Sequence, residues 1–133
     1  RIYAWVLMSN HLHMIVSSGT EATVSDILRD FKKFTSKRIM AELETDPQES
    51  RREWMLDRFR FAGANDKKIS KYRFWQEGNH PELIYLHDFF LQKLNYIHNN
   101  PAKQEIVARQ EDYLYSSVVS YAGDKGLLEV IVV

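Results

Sequence analysis

The chain has 133 residues, with 18 Lys and Arg balanced by 18 Asp and Glu, so its formal net charge is zero and does not by itself advertise a nucleic-acid binder. It has no cysteine, which excludes disulfides, thiolate metal sites and a thiol nucleophile, and fits a reducing cytoplasm. No apolar run approaches the ~20 residues needed to cross a bilayer, and Arg1 leads straight into strand-like sequence rather than a signal peptide.

Residues 2–8 and 11–17 read as two adjacent strands joined by a Ser9-Asn10 turn, followed by a loop over residues 17–20. Thr23 or Ser25 suits the cap of a helix running to about Leu43, with Ile27, Phe31, Phe34 and Ile39 at helical spacing. Asp46-Pro47 breaks it, and Pro47 suits the first turn of a second helix over about 48–62. After a loop at 63–66, residues 72–76 alternate weakly as a short strand, and residues 78–81 form a turn. A helix over residues 86–99 follows, its Phe90, Leu94 and Ile97 forming one buried stripe, and Pro101 is expected to stop it. Residues 102–110 and 112–117 read as short helical pieces or loops, and the β-branched run 127–133 as a last strand. This order predicts an α+β layer fold, helices on a largely antiparallel sheet, in a single domain. The chain opens inside a strand, and one hairpin is too small a sheet to stand alone, so a strand-bearing portion ahead of Arg1 is expected.

Charge is unevenly spread. Arg29, Lys32, Lys33, Lys37 and Arg38 cluster in one stretch, Arg51, Arg52, Arg58 and Arg60 follow, and then Lys67, Lys68, Lys71 and Arg73. A neutral total can hide a basic face, and a solvated helix surface is the competing reading.

The chemistry concentrates at His11-Leu12-His13, inside the run Tyr3 to Val16. Strand side chains alternate, so the two imidazoles share a face while Leu12 points the other way, into a core. Two imidazoles side by side suit one divalent metal, whose third ligand must come from elsewhere. The segment Asn95 to Pro101 supplies a candidate: Tyr96 and Asn100 stand one helical turn apart. The Asn100 amide oxygen beside two imidazoles makes a mixed N/O set suited to Mg²⁺ or Mn²⁺. A phenol is a poor nucleophile near neutral pH, but a nearby cation favours phenolate and polarises a phosphoryl oxygen. Together these residues describe attack of Tyr96 on a phosphodiester.

The run Ala4 to Val16 with its His-Leu-His resembles the HUH motif (His, bulky apolar residue, His) of the single-tyrosine transposases. Phe74-Trp-Gln-Glu-Gly-Asn-His80 and Tyr96-Ile-His-Asn-Asn-Pro101 resemble conserved blocks of their REP-associated branch, and Asp30-Phe-Lys-Lys-Phe-Thr-Ser-Lys37 also fits. The resemblance implies a ferredoxin-like or RRM-like sheet, with an N-terminal strand-helix-strand portion that this chain lacks. It implies Tyr96 as nucleophile and His11, His13 and Asn100 as ligands of Mg²⁺ or Mn²⁺. It further implies cleavage and rejoining of single-stranded or hairpin DNA through a 5′-phosphotyrosine, in transposition or in domesticated repeat processing, on the nucleoid. Arg29, Lys32, Lys33, Lys37, Arg38, Lys71 and Arg73 would then meet DNA, and Trp75 would stack on a base. His80 is expected to serve the turn before Pro81. No membrane partner is expected, and monomer and homodimer both remain open. Three alternatives stand beside this reading: a non-catalytic DNA-hairpin binder from the same family, a phosphodiesterase using water, and an interaction domain whose histidines are structural.

Overall fold

The computed structural model describes residues 1–19, 21–67 and 71–133. Thr20 of the expected loop and Lys68 of the basic cluster lie outside the described residues. The elements are β1 (Ile2–Leu7), β2 (Leu12–Val16), α1 (Val24–Thr45), α2 (Arg52–Gly63), α3 (His87–Lys103), a 3₁₀ turn (Gln110–Asp112) and α4 (Val118–Tyr121). They fall into two compact units, one of Arg1–Val24 with Pro81–Val133 and the other of Ser25–His80.

In the first unit β1 and β2 form an antiparallel hairpin, with Val6 opposite His13 and Leu7 opposite Leu12. The register slips between Ile2 and Ala4, a bulge that turns Tyr3 towards Phe90, ring centroids 6.3 Å apart. Ala4, Val6, Met8 and Ile15 of the hairpin meet Leu94 and Ile97 of α3 in the core, with Phe90 packed beside them. The apolar stripe expected on α3 therefore packs as its spacing implies. Leu12 does not: it is half-buried and outside that core, because the core-covered face is the one His13 shares with Val6.

Among the described residues the sheet has two strands, a small hairpin packed against helix rather than a full ferredoxin-like sheet. The expected strand at 127–133 is not one. Its residues make one backbone bond to the hairpin, Ile131 N–H to Ile2 O at 2.9 Å. Farther along β1, the outer edge is taken by residues 115–117. Leu7 N–H donates to Tyr115 O, Ser117 N–H donates to Trp5 O, and Val6 bridges Ser116. β-propensity makes a strand only where an edge with free partners exists.

Pro101 lies inside α3 rather than ending it. The helix runs two residues further, to Lys103, and closes in a Schellman arrangement, Ile106 N–H to Pro101 O and Glu105 N–H to Ala102 O, both 3.0 Å. Glu105 takes the left-handed conformation (φ 58°) that a glycine usually occupies there, so no glycine marked this stop in the sequence.

In the second unit α2 begins at Arg52, beyond the expected start. Side chains hold the preceding residues in turns instead, with Gln48 N–H on Asp46 Oδ1 at 2.8 Å and Arg51 N–H on Glu49 Oε1 at 2.9 Å. Residues 72–76 are not a strand. Arg73 N–H bonds Phe59 O, Phe74 packs on Phe59, and Trp75 lies against Phe31, so the segment wedges aromatic rings against α1 and α2. The expected apolar stripe on α1 is largely exposed at Ile27, Phe34 and Ile39, and the buried residues of that helix are Met40 and Leu43. No helix of the described chain is long and apolar enough to cross a membrane.

Candidate active site on the hairpin and α3

The end of the hairpin places the histidines. Met8 N–H donates to His11 O at 2.9 Å, closing the turn one residue before β2. The two imidazoles meet edge to face with centroids 4.8 Å apart. Tyr96 comes to the same place from α3, its ring edge-on to His13 at 5.4 Å between centroids. Leu94 and Ile97, anchored in the core on either side of it, set that approach. The phenol is 50% exposed, so a reacting group can reach it.

Local partners set the environment of each ring. Asn10 Oδ1 lies 2.6 Å from His11 Nδ1, and an amide oxygen can only accept, so Nδ1 is the donor in that contact. His13 is pushed below the usual histidine range, first by burial and then by the charges of His11 and Lys93. A neutral imidazole is the form that donates to a metal. Asn100, one turn after Tyr96, is buried, and its Oδ1 accepts a bond from Gln104 Nε2 at 3.0 Å. A carbonyl oxygen has two lone pairs, so one remains. Among the described residues no three His, Cys, Asp or Glu side chains gather as a metal cluster. The donors that the structure brings together here are the two imidazole rings, and the expected third, Asn100 Oδ1, lies one turn beyond Tyr96 on α3.

Two nearby residues were not singled out from the sequence. His98 is 5% exposed, and burial lowers its pKa to about 4. Its Nε2 lies 2.9 Å from Ser117 Oγ, which also accepts from Trp5 N–H at 2.9 Å and donates to Trp5 O at 3.2 Å. This neutral rivet ties α3 to β1 two residues beyond Tyr96. Lys93, three residues before Tyr96, holds Glu82 at 2.6 Å and lies over the Phe89 ring. Only the tertiary partners mark these residues; nothing in their spacing does.

The basic residues sit in the second unit, and most have partners. Arg29 pairs with Asp26 and Asp30, Arg38 with Glu42, Lys71 with Glu44, and Arg73 with Asp66. Lys32 donates to the backbone oxygens of Gln76 and Gly78 and lies over the Trp75 ring. Trp75 itself gives its indole N–H to Thr35 Oγ1 and is half-buried between Phe31 and Phe74. Lys33 and Lys37 are exposed, and among the described residues no carboxylate pairs with them. His80 is exposed and takes a left-handed conformation (φ 46°) just before Pro81, and no hydrogen-bonded turn is assigned over residues 78–81 where one was expected.

Comparison with known families matches residues 1–73, a little over half of the chain, to the family described as Transposase IS200 like. The match includes both histidines and stops short of α3. No curated protein and no solved structure matches the chain.

Proposed function

The chain belongs to the family of IS200-like transposases, and from this we propose that it cuts and rejoins single-stranded DNA with Tyr96 as the nucleophile. The observation that carries the reading is the edge contact of the Tyr96 ring with His13, which puts a solvent-reachable phenol beside two imidazoles. His11, His13 and Asn100 would hold Mg²⁺ or Mn²⁺, whose chemistry is to polarise a phosphoryl oxygen as a Lewis acid.

Tyr96 Oη attacks the phosphorus of the scissile phosphodiester, its proton passing to solvent. A Tyr96 Oη–P bond forms and the P–O3′ bond breaks, and the leaving 3′ oxygen takes up a proton. The products are a 5′-phosphotyrosine and a free 3′-OH. Because the phosphoester bond is exchanged rather than hydrolysed, a 3′-OH can reverse the step and join strands without ATP. The burial of Leu94 and Ile97 fixes the helix carrying the phenol, so the nucleophile is presented with little conformational freedom to lose. The sequence blocks Phe74–His80 and Tyr96–Pro101 support assignment to the REP-associated branch, and so to hairpin DNA from repeats as the substrate.

A hairpin oligonucleotide labelled at its 3′ end and incubated with Mn²⁺ tests this. A labelled protein band should survive denaturation with the wild type and be absent with Tyr96→Phe. One observation favours a second reading, a binder that does not cut: the Asn100 amide oxygen already has an internal partner in Gln104. Such a protein would shift the same DNA and leave no covalent band.

A further inference from the structure

We propose that the exposed face of α2 formed by Trp54, Arg58 and Phe61 is a stacking platform for unpaired bases of single-stranded DNA. These residues stand at i, i+4 and i+7, so they share one helix face and span about 10 Å along the axis. Trp54 is 60% exposed and Phe61 77% exposed, two aromatic rings left in water where a helix normally carries polar side chains. The Arg58 guanidinium lies 5.8 Å from the Trp54 ring centroid, and no carboxylate among the described residues pairs with it. Its neighbours differ, since Arg60 holds Asp57 and Arg51 holds Glu49. The face borders an open concavity of about 550 Å³ whose lining has two arginines and one aspartate.

Chemistry chooses the occupant. A base has a π-face that stacks on Trp or Phe, and the neighbouring phosphate along the strand suits an unpaired guanidinium. An apolar peptide would use the rings but leave Arg58 uncompensated, and a duplex hides its base faces. The Trp75 ring, by contrast, is already packed between Phe31 and Phe74, so it offers less to a base than Trp54 does. The platform adds a recognition element to the DNA-processing reading and rests on it only for the choice of DNA.

Binding is measured with Tyr96→Phe protein in EDTA, so the result does not depend on cleavage or metal. Oligothymidylate of about twelve nucleotides, a size within the range of single-strand sites, should quench tryptophan emission saturably. Trp5 is buried and Trp75 half-buried, so Trp54 is the exposed reporter and Trp54→Phe should remove the quench while keeping affinity. Trp54→Ala with Phe61→Ala should weaken binding by about tenfold per ring removed, measured by anisotropy. An abasic strand of equal length should bind this double variant and the parent alike. Equal affinity of the double variant and the parent for oligothymidylate overturns the proposal. So does an equal loss for the abasic strand, or a change in oligomeric state with no change in DNA affinity. A protein that binds through this face but never forms a covalent adduct would sink the catalytic reading alone.

Discussion

The imidazoles of the first unit and the cations of the second are held by different kinds of partner. In the hairpin and α3 unit the imidazoles are held by packing and by neutral partners. His11 leans on Asn10, His13 on its two ring neighbours, and His98 on Ser117. No carboxylate among the described residues pairs with any of the three. In the Ser25–His80 unit many cations meet a carboxylate within a few residues, as Arg29 does with Asp26 and Asp30 and Arg60 with Asp57. Exposed pairs of this kind add little stability, about 0–1 kcal/mol each, but they cancel the field a phosphate would feel. A count of basic residues along the sequence therefore overstates the charge that the fold leaves free, which among the described residues of this unit is on Lys32, Lys33, Lys37, Arg52, Arg58 and Lys67, none paired with a carboxylate.

The largest expected effect breaks the first unit at its centre. Tyr96→Phe should bring covalent adduct and strand cleavage below detection while leaving DNA affinity and thermal stability near those of the wild type. The ring that packs is kept and the phenol is half-exposed. Cleavage retained by this variant would move the chemistry to another residue or to water.

Acid should act on the same unit through His98. Its pKa in the fold is lowered to about 4, so the unfolded chain binds the proton more readily. The associated stability is complete above the ordinary histidine value near 6.5 and is lost as pH falls towards about 4, a total of about 3 kcal/mol. His13, also lowered, adds to the loss in the same direction. Urea unfolding at pH 7 and at pH 4.5 measures it. His98→Gln, which keeps a polar side chain but does not titrate, should flatten the difference, and an equally steep dependence in that variant would assign it elsewhere.

Metal should separate the units more gently. Mn²⁺ at about 100 times its Kd should stabilise the protein by about 2.7 kcal/mol. His11→Ala and His13→Ala should each remove that gain, and substitutions at Lys33 or Arg58 should not. A thermal shift that persists without both imidazoles would place the cation outside the hairpin.

The smallest effect concerns salt. Lys33→Ala with Lys37→Ala should reduce the slope of log affinity against log salt by roughly 0.7 for each phosphate of a single strand that a lysine no longer neutralises. Arg29→Ala should change it less, because Arg29 brings two carboxylates with it. If Arg29 and the lysines prove equivalent, the contrast between free and paired cations fails.

Local pattern sufficed where a period of two or of 3.6 residues was set against a single apolar face. It was enough to place the two strands to within a residue at their ends, expected at 2–8 and 11–17 and found at 2–7 and 12–16, along with the shared face of His11 and His13 and the Phe90-Leu94-Ile97 stripe of α3. It also put Tyr96 and Asn100 one turn apart on that helix, though not the engagement of Asn100 with Gln104. Periodicity does not say which face of a hairpin a helix will cover. Leu12 was therefore expected in the core, and His13 beside Val6 took the covered side instead. Nor does β-propensity say which segment reaches a free edge. Ser116 and its neighbours occupy that of β1 along Trp5–Leu7, while among the described residues the apolar run at 127–133 reaches the hairpin backbone only through Ile131 N–H. The stop of α3 needed a residue in the left-handed region, and Glu105 adopts it under tertiary constraint without the glycine that would have announced it. The sequence alone determined the spacing of the candidate residues along each element, because spacing is a property of one strand or one helix. The tertiary structure decided which of them meet, which charges are cancelled and which rings stay in water, because these depend on partners tens of residues away.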